Sequence, residues 1–174
     1  MFERYTPLAR RIVFFSRMLA LVEGAPAIDT VHLLKGLMWE KDSRAVTIFN
    51  LREFFPLHYD LPWKYATKEQ IPERNLPLDL DSRSALRKAH READALRDYW
   101  IDGEHLLLGI LAEKGCVGER YLARTGLTLQ RAGQIVIENK LSRPDYGPVP
   151  DLWGTQSPWD KFLHRWRMRK YRKE

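Results

Sequence analysis

Histidine, cysteine and carboxylate side chains are the first to consider for metal binding or nucleophilic catalysis. The 174-residue chain has five histidines and one cysteine: His32, His58, His90, His105, His164 and Cys116. Their spacing matches no zinc-ligand pattern. Cys116 follows Gly115 and precedes an apolar run, where packing is the ordinary role of a thiol. There is no nucleophile elbow and no cofactor loop, and no Gly-x-x-x-x-Gly-Lys-Ser/Thr phosphate loop. The sequence therefore predicts no catalytic residue, no metal and no cofactor. Glu104 lies where a helix begins, and an acid in a first helical turn is favoured by the macrodipole alone.

Charge offers a different chemistry. The net charge is +6, and residues 161–174 carry seven Lys/Arg against one acid, Glu174. The rest of the chain is balanced, so the basic character belongs to the tail. Trp159, Phe162, Leu163 and Trp166 recur at spacings of three and four, one face of a helix. Arg165, Trp166, Arg167, Arg169 and Lys170 are candidate contacts to an anionic partner, through phosphate pairing and base stacking. Nucleic acid is thus a possible partner through the tail; an anionic membrane surface or a partner helix is another reading of the same residues. No run of about 18 apolar residues occurs, so no transmembrane helix is expected. The start has no signal-peptide pattern and the lone cysteine forms no internal disulfide, which together read as cytoplasmic.

The elements that would position these residues come from a repeat. Asp29-Thr30-Val31-His32-Leu33-Leu34-Lys35-Gly36-Leu37 returns as Asp102-Gly103-Glu104-His105-Leu106-Leu107-Leu108-Gly109-Ile110. Matching His, Gly and apolar positions at one offset signal duplicated structural units. Helices are expected over 7–22 and about 81–97, with apolar or small residues at Ile12, Val13, Ser16 and Ala20 and again at Ala85, Leu86, Ala89 and Ala93. A second helix starts at Asp29-Thr30 or Asp102-Gly103, where Asp caps well. Gly36 and Gly109 lie inside these helices at a cost of roughly 1 kcal/mol relative to alanine, so close helix contact is their expected reason. A third helix is expected over Val117–Thr125 with Val117, Tyr121 and Leu122 inward, ended by Gly126. Thr128 caps a fourth with Leu129, Ala132, Ile135 and Val136. Ala45, Val46, Ile48 and Phe49 hold the matching place in the first unit.

No segment alternates like a strand. The expectation is an all-α body, residues 1–142, of two four-helix units at 1–66 and 76–142. A linker at 67–75 joins them, within the proline-bearing stretch 56–78. A Pro-rich and basic tail follows at 143–174. The oligomeric state is not legible.

These residues resemble the N-terminal domain of the Clp-family AAA+ unfoldases, the double Clp repeat domain. The resemblance runs over about residues 2–141. It rests on Tyr5-Thr6-Pro7, on Glu104-His105-Leu106-Leu107-Leu108-Gly109-Ile110-Leu111, and on Arg120-Tyr121-Leu122 with Gly126-Leu127. At this length there is no room for an AAA+ module, so it implies a free-standing recognition domain. Its partner would be a substrate protein, an adaptor or a Clp-type unfoldase. The repeated histidine is chiefly structural in the family.

The resemblance also implies a candidate site. Some relatives bind phosphoarginine with a Glu of the Thr-Glu-His stretch and a Thr near the start of the first helix, a carboxylate pairing well with a guanidinium. Here the first unit keeps Thr6 but has Val31 for Glu. The second keeps Glu104 but has Asp79 for Thr. Read unit by unit, each half-site lacks one member. The aromatics Phe54, Phe55, Tyr59 and Trp63, with His58 and Tyr65, are a further candidate surface for apolar segments or an adaptor.

Overall fold

Six helices of the structure, a computed structural model that describes residues 2–40, 42–54 and 76–140, begin at a side chain that accepts a backbone N–H of the first turn. Thr6 accepts the Ala9 N–H at 3.1 Å and Pro7 follows it into the first turn of α1 (Pro7–Val22). Asp29 caps α2 (Thr30–Trp39) and Ser43 precedes α3 (Arg44–Ile48), which leads into α4 (Leu51–Phe54). Asp79 accepts the Ser82 N–H at 2.7 Å at the start of α5 (Leu80–Leu96). Asp102 caps α6 (Gly103–Ala112), Cys116 caps α7 (Val117–Ala123) and Thr128 caps α8 (Leu129–Glu138). The described residues contain no strand, only two isolated parallel bridges. No helix among them is long and apolar enough to cross a membrane.

The two histidines complete capping boxes. His32 Nδ1 accepts the Asp29 N–H at 3.2 Å while Asp29 accepts the His32 N–H; His105 and Asp102 repeat the exchange, with the Asp102 N–H donating to Nδ1 at 3.0 Å. Each ring reaches on to an acid in the loop that ends the preceding helix. His32 Nε2 lies 3.3 Å from Glu23, and His105 Nε2 lies 3.2 Å from Asp98.

Both units pack through the same glycine. A Cβ on Gly36 would lie 2.5 Å from the Ile12 carbonyl oxygen and 2.3 Å from Ser16 Oγ. One on Gly109 would lie 2.3 Å from the Ala85 carbonyl oxygen and 2.9 Å from Ala89 Cβ. The expected close contact is therefore present, and Ser16 and Ala89 are the small residues it uses. The core is continuous across the units and joins Ile12, Leu37 and Leu51 to Leu86, Leu107 and Leu122. Burying each such side chain contributes roughly 1.5–3 kcal/mol. Helix α6 is buried almost all round, from Gly103 to Leu111.

The bridges cross between the units. Tyr5 pairs with Ile101, with Thr6 N–H donating to the Ile101 carbonyl at 3.0 Å, and Leu78 pairs with Ile28, with Asp79 N–H donating to the Ile28 carbonyl at 3.0 Å. The segment before the first helix of each unit is thus stitched to the loop before the second helix of the other.

The expected inward face of α7 needs correction. Leu122 is buried, but Val117 and Tyr121 are exposed, and Gly118 is buried instead. Gly118 N–H donates to Thr30 Oγ1 at 3.0 Å, and a Cβ there would lie 2.9 Å from the Thr30 carbonyl oxygen. This approach to α2 turns α7 so that 118 and 122 face inward. The helix also ends at Ala123, with Gly126 at φ +77° closing the turn beyond it.

Candidate functional site

The crossed bridges decide which candidate residues meet. Thr6 is bound to the start of the other unit's α6: its hydroxyl donates to Asp102 Oδ1 at 3.1 Å. Thr6 and Glu104 therefore belong to one junction, while Asp79 and Val31 belong to the other. Allocating the four residues unit by unit separates what the fold joins.

At the first junction Thr6 is fully buried and Glu104 is 1% exposed. Glu104 is not bare. Arg44, at the start of α3 in the first unit, donates from Nη1 to Glu104 Oε1 at 2.9 Å and from Nη2 to the Asn139 carbonyl. The Arg44 side chain, 11% exposed, links α3, α6 and the end of α8. Glu104 can hold a guanidinium of another molecule only if Arg44 leaves it. At the second junction Asp79 is half-buried and spends its carboxylate on the Ser82 N–H, and Val31 is half-buried and apolar. Sequence reasoning misses Arg44, because the repeat places Val117 at its equivalent position.

Charge elsewhere is held in local networks. Arg4 bonds Asp94 at 2.8 Å and the Tyr99 carbonyl at 2.8 Å. Arg11 bonds Glu40 at 2.5 Å, and this bond raises the guanidinium pKa against the opposing effect of desolvation. Burial alone would raise the Asp29 carboxyl, but its bonds to the His32 side chain and N–H outweigh it and hold the pKa below the usual range. Glu113 is likewise desolvated, yet Ser84 and Lys88 bind it and lower its pKa. Among the described residues no group of three or more His, Cys, Asp or Glu is placed to hold a metal.

The other candidate is a surface. Phe14 is 54% exposed on α1. Arg10, Val13 and Phe14 share one face of that helix by spacing. Phe2, Glu3, Arg10 and Val13 line a shallow depression of about 390 Å³. The Phe2 ring stands edge-on to Tyr5 at 4.9 Å. The sequence offers a signal for this surface in Val13-Phe14-Phe15, which exceeds what the inner face of α1 requires. Of the expected aromatic surface, Phe54 closes α4, and Phe55, Tyr59 and Trp63 lie outside the described residues. So do Arg165, Trp166, Arg167, Arg169 and Lys170 in the tail.

Comparison with known proteins adds a family. Residues 4–125 match the Clp repeat (R) N-terminal domain. The chaperone protein ClpB of Oceanobacillus iheyensis is 26% identical over 141 residues, 79% of this chain and 17% of that protein. An uncharacterized protein of Mycobacterium bovis is 29% identical over 133 residues, 75% of this chain and 51% of that one. The chain thus spans 17% and 51% of the length of these curated relatives. In fold it is similar to the N-terminal domain of the chaperone ClpD of Arabidopsis thaliana, with a TM-score of 0.57 and 21% identity, covering 80% of this chain and 99% of that domain.

Proposed function

Because the chain belongs to the Clp repeat (R) N-terminal domain family, we propose that it is a non-enzymatic, cytoplasmic protein-binding module of Clp-type protein quality control. It recognises substrate proteins, adaptors or a Clp unfoldase. The observation that carries this reading is the exposed apolar face of α1. Phe14 stands more than half exposed beside a depression lined by Phe2 and Val13, while Leu80, Val117 and Tyr121, the other exposed large apolar side chains among the described residues, lie on other helices. Exposed apolar surface rimmed by charge, here Glu3 and Arg10, is a mark of protein contacts. The Thr6/Glu104 junction is a second candidate contact within the same function, gated by Arg44.

A second reading places binding in the tail, on nucleic acid or another anionic surface, and rests on the seven Lys/Arg of residues 161–174. One experiment separates the two. The immobilised full chain and its Phe14→Asp variant are offered a nuclease-treated lysate and washed with rising salt. Clp-type unfoldase or client proteins retained at high salt by the natural chain and lost by the variant are the expected result. Partners released by salt from both proteins alike would move the function to the tail.

A further inference from the structure

Helix α5 carries Arg83, Arg87 and Arg91 at intervals of four, all exposed. They lie opposite the buried row Ala85, Ala89 and Ala93. Residues four apart rise about 6 Å along a helix, so the three guanidinium groups form a ridge about 12 Å long. Among the described residues no ion pair holds any of the three, whereas Arg4, Arg11, Arg44, Lys35, Lys88, Lys114 and Lys140 are each ion-paired; Arg83 spends only its Nε, on the Leu78 carbonyl at 2.9 Å, and keeps its terminal nitrogens outward. The neighbouring carboxylates are bonded to other partners: Glu113 to Lys88, with Arg87 close enough to feel its charge, and Asp94 to Arg4. The equivalent positions of α1 are Arg10, Phe14 and Met18, so the ridge belongs to the second unit alone.

We propose that this ridge docks a short acidic segment of a partner protein, three carboxylates spaced about 6–7 Å apart. Alternate side chains of an extended peptide stand at about that interval, and arginine pairs carboxylates through two parallel bonds. A long polyphosphate fits less well. The exposed Asp81 stands at one end of the ridge and Asp94 at the other, and α5 contains no Phe, Tyr or Trp on which a base could stack. A second copy of this chain fits less well too. Among the described residues the exposed acids Glu3, Glu23, Asp42, Asp81 and Glu138 are scattered over separate segments and present no matching row. The ridge goes beyond the apolar face of α1 and stands independently of it.

The test uses the full chain with Arg165, Arg167, Arg169 and Lys170 replaced by glutamine, so that the tail does not compete. A fluorescent eight-residue peptide of alternating Glu and Ser is titrated against this protein and against the same protein bearing R83Q, R87Q and R91Q, with circular dichroism confirming that both are folded. Expected is at least a tenfold loss of affinity in the triple variant and no binding of the matching Gln-Ser peptide. Lysine at the three positions is expected to fall between, because it keeps the charge and loses the paired bonds. Equal affinity in the triple variant overturns the proposal. So does a single-stranded oligonucleotide that binds more tightly than the peptide and is lost in the same variant. Phe14→Asp is expected to leave peptide affinity within twofold, so failure here and failure of the α1 face are read separately.

Discussion

Helices α1 and α5 occupy equivalent places in the two units, and their inner and outer faces have diverged to different degrees. Inside, Ile12, Ser16 and Ala20 answer to Ala85, Ala89 and Ala93, and all six are buried. Each row is pressed against a glycine of the following helix. Outside, Arg10, Phe14 and Met18 answer to Arg83, Arg87 and Arg91. The inner face is bounded by atoms already in contact, where a single methyl group is felt. The outer face meets solvent and tolerates either chemistry, so one unit can present an apolar surface and the other a cationic one. The second helices differ in the same way, with Val31 half-exposed where Glu104 is buried against Arg44.

The sharpest test of that difference is Glu104. Replacing it by leucine leaves Arg44 buried without its carboxylate, and breaking such a pair costs about 3–5 kcal/mol. Val31→Leu, at the equivalent position, is expected to change stability by less than about 1 kcal/mol. Urea denaturation of both variants gives the two numbers. The double change R44M/E104L is expected to recover most of the loss, since a buried pair exchanged for apolar residues is often neutral. A small cost for Glu104→Leu alone would mean that the Arg44 bond is not formed in solution.

Where the units are alike, equal effects are expected. Gly36→Ala and Gly109→Ala each push a Cβ into a backbone carbonyl oxygen, at 2.5 Å from Ile12 and 2.3 Å from Ala85. Alanine's better helix propensity recovers only about 1 kcal/mol, and overpacking in a rigid core costs typically 1–3 kcal/mol, occasionally more. A net loss of about 1–2 kcal/mol is expected in both, measured by thermal unfolding. A loss confined to one variant would break the equivalence of the two helix pairs.

The inner face is legible in the sequence because a repeat offset exposes it: Gly36 and Gly109 coincide, and so do Ser16 and Ala89. The caps are legible because Thr6, Asp29, Asp102 and Thr128 are residues that accept backbone N–H groups. What the offset hides is contact between units. Thr6 is separated from Asp102 by 96 residues and Arg44 from Glu104 by 60, and a repeat read within each unit does not bring these residues together. The orientation of α7 is hidden for a related reason. Val117, Tyr121 and Leu122 look like an inner face until Gly118 is seen to lie against Thr30 of the other unit. Cys116 as a cap is also hidden, since its thiol accepting the Glu119 N–H at 3.3 Å has no distinctive sequence signal.

The capping boxes differ in exposure, which gives a pH test. The Asp29 side chain is 39% exposed, and its pKa in the folded protein lies below its ordinary value of 3.8. A depressed folded value stabilises the protein above the unfolded pKa, and that stability is lost as pH falls through the folded one. Asp29→Ala is expected to cost about 1 kcal/mol near neutrality, as loss of a cap does. The gap from the natural chain should narrow as pH falls below 3.8. A gap that stays constant into the acid-unfolding region would show that the carboxylate's charge contributes nothing.

Tyr5 and Leu78 hold equivalent places in the two crossed bridges, and only one of them carries a hydroxyl. Tyr5 is 1% exposed and its hydroxyl has no hydrogen-bond partner among the described residues. Burial pushes the phenol pKa well above its ordinary value of 10.0. A buried polar group without a partner costs desolvation and returns little. Tyr5→Phe keeps the ring beside Phe2 and His90 and makes this bridge as apolar as the Leu78 one. It is expected to be neutral or stabilising by about 0.5 kcal/mol at neutral pH. Above pH 10.0 the unfolded tyrosine ionises while the buried one does not, so the natural chain loses stability as pH rises and the phenylalanine variant keeps it. The advantage of Tyr5→Phe should therefore grow through the alkaline range in chemical denaturation. A variant less stable at neutral pH, with no alkaline gain, would mean that the hydroxyl finds a partner in solution and that the two bridges differ by a hydrogen bond as well as by a ring.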